Sequence, residues 1–225
     1  MSVVFTHDPN KEELNWKYYY RFGSVFSETP KFGTAGYTRL KRTTKHTFHD
    51  VRLFAHIFKN DTEIKIRHKS SRRFLTLDKF YSFNTLIYEK NTIINVDLRY
   101  HYNQGLGYFL KNRESGNMTL EIGVAFDNSD YLNNEQKTAY IRTAYSIDQD
   151  LNKFSGKCEI DYYHQVSNIV DSTNLSRFQI LTELKWNLRK NSGIITGFTC
   201  DIHNDDLNPS VFLALAVSES LNWDM

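Results

Sequence analysis

Cysteine is almost missing from this chain of 225 residues. Cys158 and Cys200 are its two, so neither a disulfide framework nor a four-cysteine zinc site is available. Proline occurs three times, at Pro9, Pro30 and Pro209, each at an expected strand margin where a missing backbone donor costs nothing. Net charge is small as well: 28 Lys and Arg stand against 26 Asp and Glu, a formal +2. The basic residues are scattered rather than striped, so no nucleic-acid partner is expected. The longest wholly apolar run, Val211 to Val217, falls far short of the ~20 residues a membrane-spanning helix needs. The opening MSVVFTHDPNKEELN lacks a charged segment followed by an apolar one, so no secretory signal is visible. No linker or low-complexity stretch interrupts the chain, and a single domain over residues 1–225 is expected, with 1–15 as a loose leading segment.

Aromatic residues, in contrast, are abundant: 16 Phe, 14 Tyr and 3 Trp in an otherwise hydrophilic chain. Their placement follows a period of two, the mark of strands with one apolar and one polar face. Ile94, Val96, Leu98, Tyr100, Tyr102, Leu106, Tyr108 and Leu110 form one face, broken by Gln104; Asn95, Asp97, Arg99, His101, Asn103, Gly105 and Gly107 form the other. Similar alternation runs through Leu120–Asp127, Lys157–Val166 and Arg177–Leu188. Turn residues separate these runs at Asn60-Asp61, Asn91-Thr92, Glu114 to Asn117, Asn133-Asn134, Asn191 to Gly193 and Asn204 to Pro209, where Asn, Asp and Gly supply positive φ or side-chain turn bonds. The spacing predicts about twelve antiparallel strands of about 10–17 residues. Soluble sandwiches turn every ~8–12 residues, whereas a membrane strand needs ~9–11 in the hydrocarbon plus flanks. The fold class expected is all-β, an antiparallel transmembrane-type barrel, with membrane lipid as its partner.

Alternation alone does not say which face points inward. About twelve strands enclose more space than side chains fill, eight being near the packed limit, so a polar lumen with the apolar face outward fits best. On that reading the lumen is lined by Arg67, Arg99, His101, Glu121, Arg142, Glu159, Asp161, Arg177, Glu183 and Lys185, whose mixed signs can pair across the interior. Trp16, Tyr18, Tyr20, Phe22, Tyr100, Tyr102, Tyr108, Tyr162, Trp186 and Trp223 share the apolar parity, as girdle residues at lipid headgroups would. The alternatives are a soluble barrel that binds lipid or another apolar ligand inside, and a structural barrel within a larger envelope assembly.

The segment LRYHYNQGLGYFL (Leu98 to Leu110), a short turn and MTLEIGVAFDNSDY together resemble the salt-induced outer-membrane proteins of bacteria, a family whose domain has no assigned function. The matching positions are Arg99, Gly105, Gly107, Tyr108, Leu120, Glu121 and Gly123; the later RFQILTELKWNLRKNSGIITGFTCDIHNDDLNP is similar to the family's penultimate hairpin and following loop. The resemblance covers roughly residues 45–225. It implies a bacterial outer-membrane barrel of unassigned biochemical activity, an envelope component answering osmotic stress; from the charged lumen itself a narrow passive pore is expected, with other envelope proteins as partners. The missing secretory signal depart from that pattern, as does Leu221-Asn222-Trp223-Asp224-Met225, which lacks a terminal aromatic.

Motifs of catalysis are absent: no nucleophile elbow, P-loop, zinc motif or dinucleotide fingerprint occurs, so neither an enzyme nor a cofactor is expected. His46 and His49 would point to opposite faces of one strand and could not chelate together. His164 with Ser167 or Asn168 is the nearest material for a hydrolytic site, and His68 and His164 share the apolar parity. Gly105 and Gly107 lie inside a strand, where they allow curvature or a close neighbour. Cys158 and Cys200 fall on the first and third of three successive strands, about 10 Å apart at ~4.8 Å per strand. That exceeds the ~7 Å a disulfide tolerates, and two free thiols are expected.

Overall fold

The computed structural model describes residues 15–28, 32–94, 96–113, 115–129, 136–167, 174–189, 191–203 and 206–222. The leading segment 1–14, Trp223 and Asn168 lie outside the described residues. The strands are β1 (Asn15–Ser27), β2 (Phe32–Thr43), β3 (Thr47–Phe58), β4 (Thr62–Arg73), β5 (Phe80–Asn91), β6 (Val96–Arg113), β7 (Gly116–Ser129), β8 (Gln136–Leu151), β9 (Phe154–Gln165), β10 (Arg177–Arg189), β11 (Ser192–His203) and β12 (Asp206–Asn222). Each pairs antiparallel with its neighbour in sequence, and β1 pairs with β12, so the sheet closes into a twelve-stranded barrel. Closure leaves no unpaired edge on strands this long.

Several boundaries differ from the sequence expectation: Gly116 and Asn117 already belong to β7, and β12 starts at Asp206, so that Pro209 lies inside it opposite Cys200. The β6 strand starts at Val96 rather than Ile94, because Thr92–Ile94 form a 3-10 turn. There the Asn91 side chain accepts the Ile93 N–H (3.2 Å), and the Thr92 hydroxyl donates to Asp61 Oδ1 (3.0 Å), tying the turn to the β3–β4 connection. Ser192 and Gly193 already belong to β11, so the β10–β11 turn is shorter than the Asn-Ser-Gly signal suggested. Elsewhere turn chemistry works as expected. Asn152 takes φ 59° between β8 and β9, and Gly116 takes φ 151° at the start of β7, a conformation L side chains rarely adopt.

The pleat sorts the side chains. Along β6, Arg99, His101 and Asn103 are buried, while Tyr100, Leu106 and Leu110 are exposed. Contacts between strands that are not neighbours fix the buried set as the interior: Lys69 of β4 reaches Glu121 of β7, and Arg21 of β1 reaches Glu183 of β10. The apolar face therefore points outward, and the soluble arrangement with that face inside is not the one found. The outer surface is banded. Val51, Leu53, Leu86, Leu106, Ile122, Val124, Ile141, Leu213 and Leu215 are exposed in the middle stretches of their strands. Paired aromatics sit nearer the ends: Phe26–Phe32, Tyr88–Tyr100 and Tyr162–Phe178 toward one rim, Phe80–Tyr108 and Phe154–Trp186 toward the rim carrying the termini. An aliphatic belt between two aromatic girdles is what a bilayer selects, and an exposed apolar surface of this extent is foreign to soluble monomers. Gln104, the one break in the outer face of β6, is matched: it and Asn84 accept from the Tyr102 hydroxyl at 2.6 and 3.1 Å.

Glycines bring strands together where they face each other. Gly105 pairs with Gly123, and a Cβ on Gly105 would lie 2.1 Å from the Ile122 carbonyl oxygen; one on Gly107 would lie 2.1 Å from the Tyr81 ring. Cys158 pairs with Thr182 and Cys200 with Ile180, on strands either side of β10, and both thiols are free.

Candidate functional site

All ten side chains expected in the lumen stand on the inward parity of their strands, and most join ion-pair chains that cross it. The first set is three separate groups, one of which holds Asp50 between Arg39 (2.5 Å) and Arg52 (2.6 Å) on one wall. Across the lumen Arg67 of β4 faces Glu159 of β9 at 4.0 Å, and Lys157 approaches the same carboxylate at 3.1 Å. Arg21 then binds Glu183 through both guanidinium nitrogens at 2.5 and 3.1 Å, the bidentate geometry that makes Arg–carboxylate pairs strong and directional.

The second chain is buried. Glu121 accepts from Lys69 (2.5 Å), Arg142 (2.9 Å) and the Tyr81 hydroxyl (2.8 Å), and Arg142 continues to Asp161. The third lies toward the rim opposite the termini. Asp127 takes Arg177 at 2.9 Å and His101 Nδ1 at 2.5 Å, with Arg99 at 4.0 Å from it and at 3.4 Å from Glu89. His101 Nδ1 faces a carboxylate and its Nε2 faces the Asn103 amide at 3.1 Å, so Nδ1 donates and Nε2 accepts. Every carboxylate in these chains has a cationic partner, the condition under which charge is tolerable away from bulk water.

The chains divide the interior. Those on Glu121 and Asp127 run along the β5–β8 side, which is packed by the buried cluster Phe48, Tyr81, Phe83 and Phe109 near the terminal rim and by Ala125, Tyr140 and Tyr163 near the other, while Val25, Ala35, Phe58, Ile195, Phe212 and Ala216 form a third cluster opposite. The remaining space runs along β9–β12 and β1–β4. There a cavity of about 180 Å³ is lined among others by Ala35, Arg52, Lys65, Arg67, Glu159, Phe212 and Ala214. A second of about 180 Å³ lies against Tyr19, Asp148, Lys185, Ala216 and Ser218. Both cavities are bordered by Arg21, Lys157 and Glu183, which mark the narrow point between them. Lys185, the expected lining residue with no place in the chains above, borders the second cavity.

Charge is also sorted by wall. Strands β1–β4 present Lys17, Arg21, Arg39, Lys41, Arg52, Lys65, Arg67, Lys69 and Arg73 inward against Asp50 and Glu63. Strands β7–β11 present Glu121, Asp127, Asp148, Asp150, Glu159, Asp161, Glu183 and Asp201 against Arg142, Lys157, Arg177 and Lys185. A field therefore points across the lumen as well as along it, and low-dielectric walls focus it.

Sequence reasoning missed Arg21, Arg39, Asp50, Arg52, Lys69, Glu89 and Asp127 as members of these chains, although each shares the inward parity of its strand. It also missed the aromatic filling of one sector, since Phe48 alternates in step with Asp50 and Arg52 and reads as noise. The histidine candidates come apart. His46 lies in the β2–β3 turn rather than in a strand, a turn closed by the Thr44 hydroxyl accepting the Thr47 N–H (2.9 Å), so the expected opposition of His46 and His49 within one strand is corrected. His49 points outward and stacks on His68 at 6.3 Å. His164 Nδ1 lies 3.3 Å from the Tyr162 hydroxyl, while Ser167 Oγ accepts the Ala139 N–H at 3.0 Å, so the two do not meet.

With this geometry in view, the comparisons with known proteins are consistent. A family model described as a protein of unknown function, DUF481, matches residues 27–205. Among curated proteins none matches significantly. Solved structures with the same fold include the NanC porin (TM-score 0.55, 9% identity, covering 88% of this chain and 98% of that one). The KdgM porin in complex with disordered oligogalacturonate is similar at TM-score 0.53 and 10% identity, over 89% and 98% of the two chains. The COG4313 outer-membrane channel from Pseudomonas putida F1 gives 0.52 and 9% identity over 96% and 100%. At such identities the likeness is one of fold.

Proposed function

The chain belongs to DUF481, a family of proteins of unknown function, and from that premise we propose that its barrel is a narrow passive pore of the bacterial outer membrane, without catalytic activity. One observation carries the reading: two lumenal cavities, one on either side of Arg21, Lys157 and Glu183, lie end to end along the sector whose inward side chains include Gly23, Ala35, Ala214 and Ala216. The aliphatic belt and the two aromatic girdles support insertion in a bilayer. The rim with the termini carries tight turns such as Asn152-Lys153; in bacterial barrels short turns face the periplasm, so this rim faces the periplasm.

Passage is restricted to small solutes, because ion pairs rather than open water occupy the narrow point. Planar-bilayer recording of the purified chain tests the reading: discrete low-conductance steps in KCl are expected. A barrel that inserts, shifts on unheated gels and never conducts would instead be a sealed structural element. A chain that stays monomeric and soluble without detergent would overturn the membrane reading altogether.

A further inference from the structure

The cavity lined by Ala35, Arg52 and Phe212 holds two charged side chains that stand outside the ion-pair chains. Around it, Arg21 is held by Glu183, Arg52 by Asp50, Arg142 by Glu121 and Asp161, Glu159 by Arg67 and Lys157, and Glu63 by His56 at 2.9 Å. Lys65 of β4 and Asp201 of β11 also line the cavity, and neither forms an ion pair within 4.0 Å among the described residues. They belong to opposite walls, the basic and the acidic one. Both nevertheless line the same cavity, so a small molecule within it meets both. Glu89, the cross-strand partner of Lys65, is engaged by Arg99 at 3.4 Å.

We propose that this cavity is a subsite for small zwitterions, molecules carrying a carboxylate and an ammonium group, with Lys65 receiving the carboxylate and Asp201 the ammonium. The inference rests on the pore reading and names its solute class. A free anion drawn to Lys65 meets the Asp201 carboxylate, and a free cation drawn to Asp201 meets the Lys65 ammonium. A solute bearing both charges satisfies both walls and lies along the transverse field; discrimination of this kind comes from the repulsive partner as much as from the attractive one. Ile87, Leu181 and Phe212 on the cavity wall offer apolar surface to the carbon atoms between the charges, and Gln179 and Thr199 supply neutral hydrogen-bonding groups.

The test uses the whole chain in a planar bilayer, with glycine as probe and glycolamide as its neutral counterpart of similar size. Glycine added at pH 7 is expected to reduce the KCl current in a saturable way, and glycolamide to leave it unchanged. Lys65→Met and Asp201→Asn are each expected to raise the half-blocking glycine concentration about tenfold, measured against each variant's own KCl current, the cost of losing one charge-assisted hydrogen bond. The double reversal Lys65→Asp with Asp201→Lys is expected to restore block. Folding of each variant is read from the shift between unheated and heated bands on a gel. Equal effects of glycine and glycolamide, or block untouched in both single variants, would overturn the zwitterion subsite and leave the pore intact. No KCl current in the unmodified chain would instead overturn the pore.

Discussion

The two halves of the lumen are built from the same alternating strands yet do opposite things. In the β5–β8 sector Tyr81, Phe83, Phe109, Glu121, Tyr140 and Arg142 point inward and are buried, and the small inward residues Gly107 and Gly123 lie under close neighbours rather than beside a cavity. In the sector of β11, β12, β1 and β2 the inward positions hold Gly193, Gly197, Ala214, Ala216, Gly23 and Ala35, and even the Phe212 ring sits in the space over Gly197, where a Cβ would come within 2.2 Å of it. A twelve-stranded barrel has more interior than its side chains fill; here Val25, Phe58, Ile195 and Phe212 pack together in this sector too, but the small residues Ala35, Ala214 and Ala216 leave space beside them. The lesson is that a narrow conduit needs no separate plug: asymmetry of side-chain volume around the wall creates it.

If one sector carries stability and the other carries passage, substitutions divide accordingly. The largest effect is expected at Glu121→Ala, which leaves Lys69 and Arg142 without their shared carboxylate. Removing one partner of a buried pair costs about 3–5 kcal/mol, seen as a lower urea midpoint for loss of the heat-modifiable band, with little change in conductance. Next comes Tyr81→Phe, which deletes the 2.8 Å hydroxyl contact to Glu121 and keeps the ring. A hydrogen bond to a charged group is worth about 1.5–3 kcal/mol, and the lower part of that range applies because Glu121 retains two cations. On the other side, Ala214→Phe fills cavity space rather than packed core. It is expected to cost no more than the lower end of the ~1–3 kcal/mol that overpacking a filled core costs and to cut single-channel conductance severalfold. An unchanged conductance in Ala214→Phe would place the path elsewhere.

How much of this was legible beforehand follows from what alternation encodes. The strand count follows from a period of two sustained over long runs, as at Val96–Arg113, and the outward apolar face from that count, because about twelve strands enclose more space than side chains fill. The same parity also marks which charges face inward, so Arg67, Arg99, Glu121 and Arg177 were readable one by one. Their pairing was not. Lys69 meets Glu121 three strands away, and such contacts depend on strand tilt and stagger, which no local pattern records. The sector asymmetry was hidden for a related reason: Phe48, Phe83 and Phe109 occupy positions that alternation assigns to a polar face, and only closure shows them packing on one another. His46 misled because a three-residue turn interrupts the period without a glycine to mark it.

The smallest expected effect on stability belongs to the contact that separates the two sectors most directly. Arg67 and Glu159 meet at 4.0 Å with side chains 18% and 19% exposed, a long and partly hydrated pair of the kind worth about 0–1 kcal/mol. Glu159 keeps Lys157 at 3.1 Å when Arg67 is lost, so Arg67→Ala leaves no carboxylate stranded. Yet these residues reach toward each other from β4 and β9 across the interior, and truncating one removes side-chain volume from the cavity itself. Arg67→Ala is therefore expected to raise conductance while the urea midpoint moves by less than that of Tyr81→Phe. The comparison with Glu121→Ala is the decisive one: stability lost without current on one side, current gained without stability lost on the other. If Arg67→Ala unfolds the barrel as readily as Glu121→Ala does, the crossing pair is structural and the division of labour between the sectors fails.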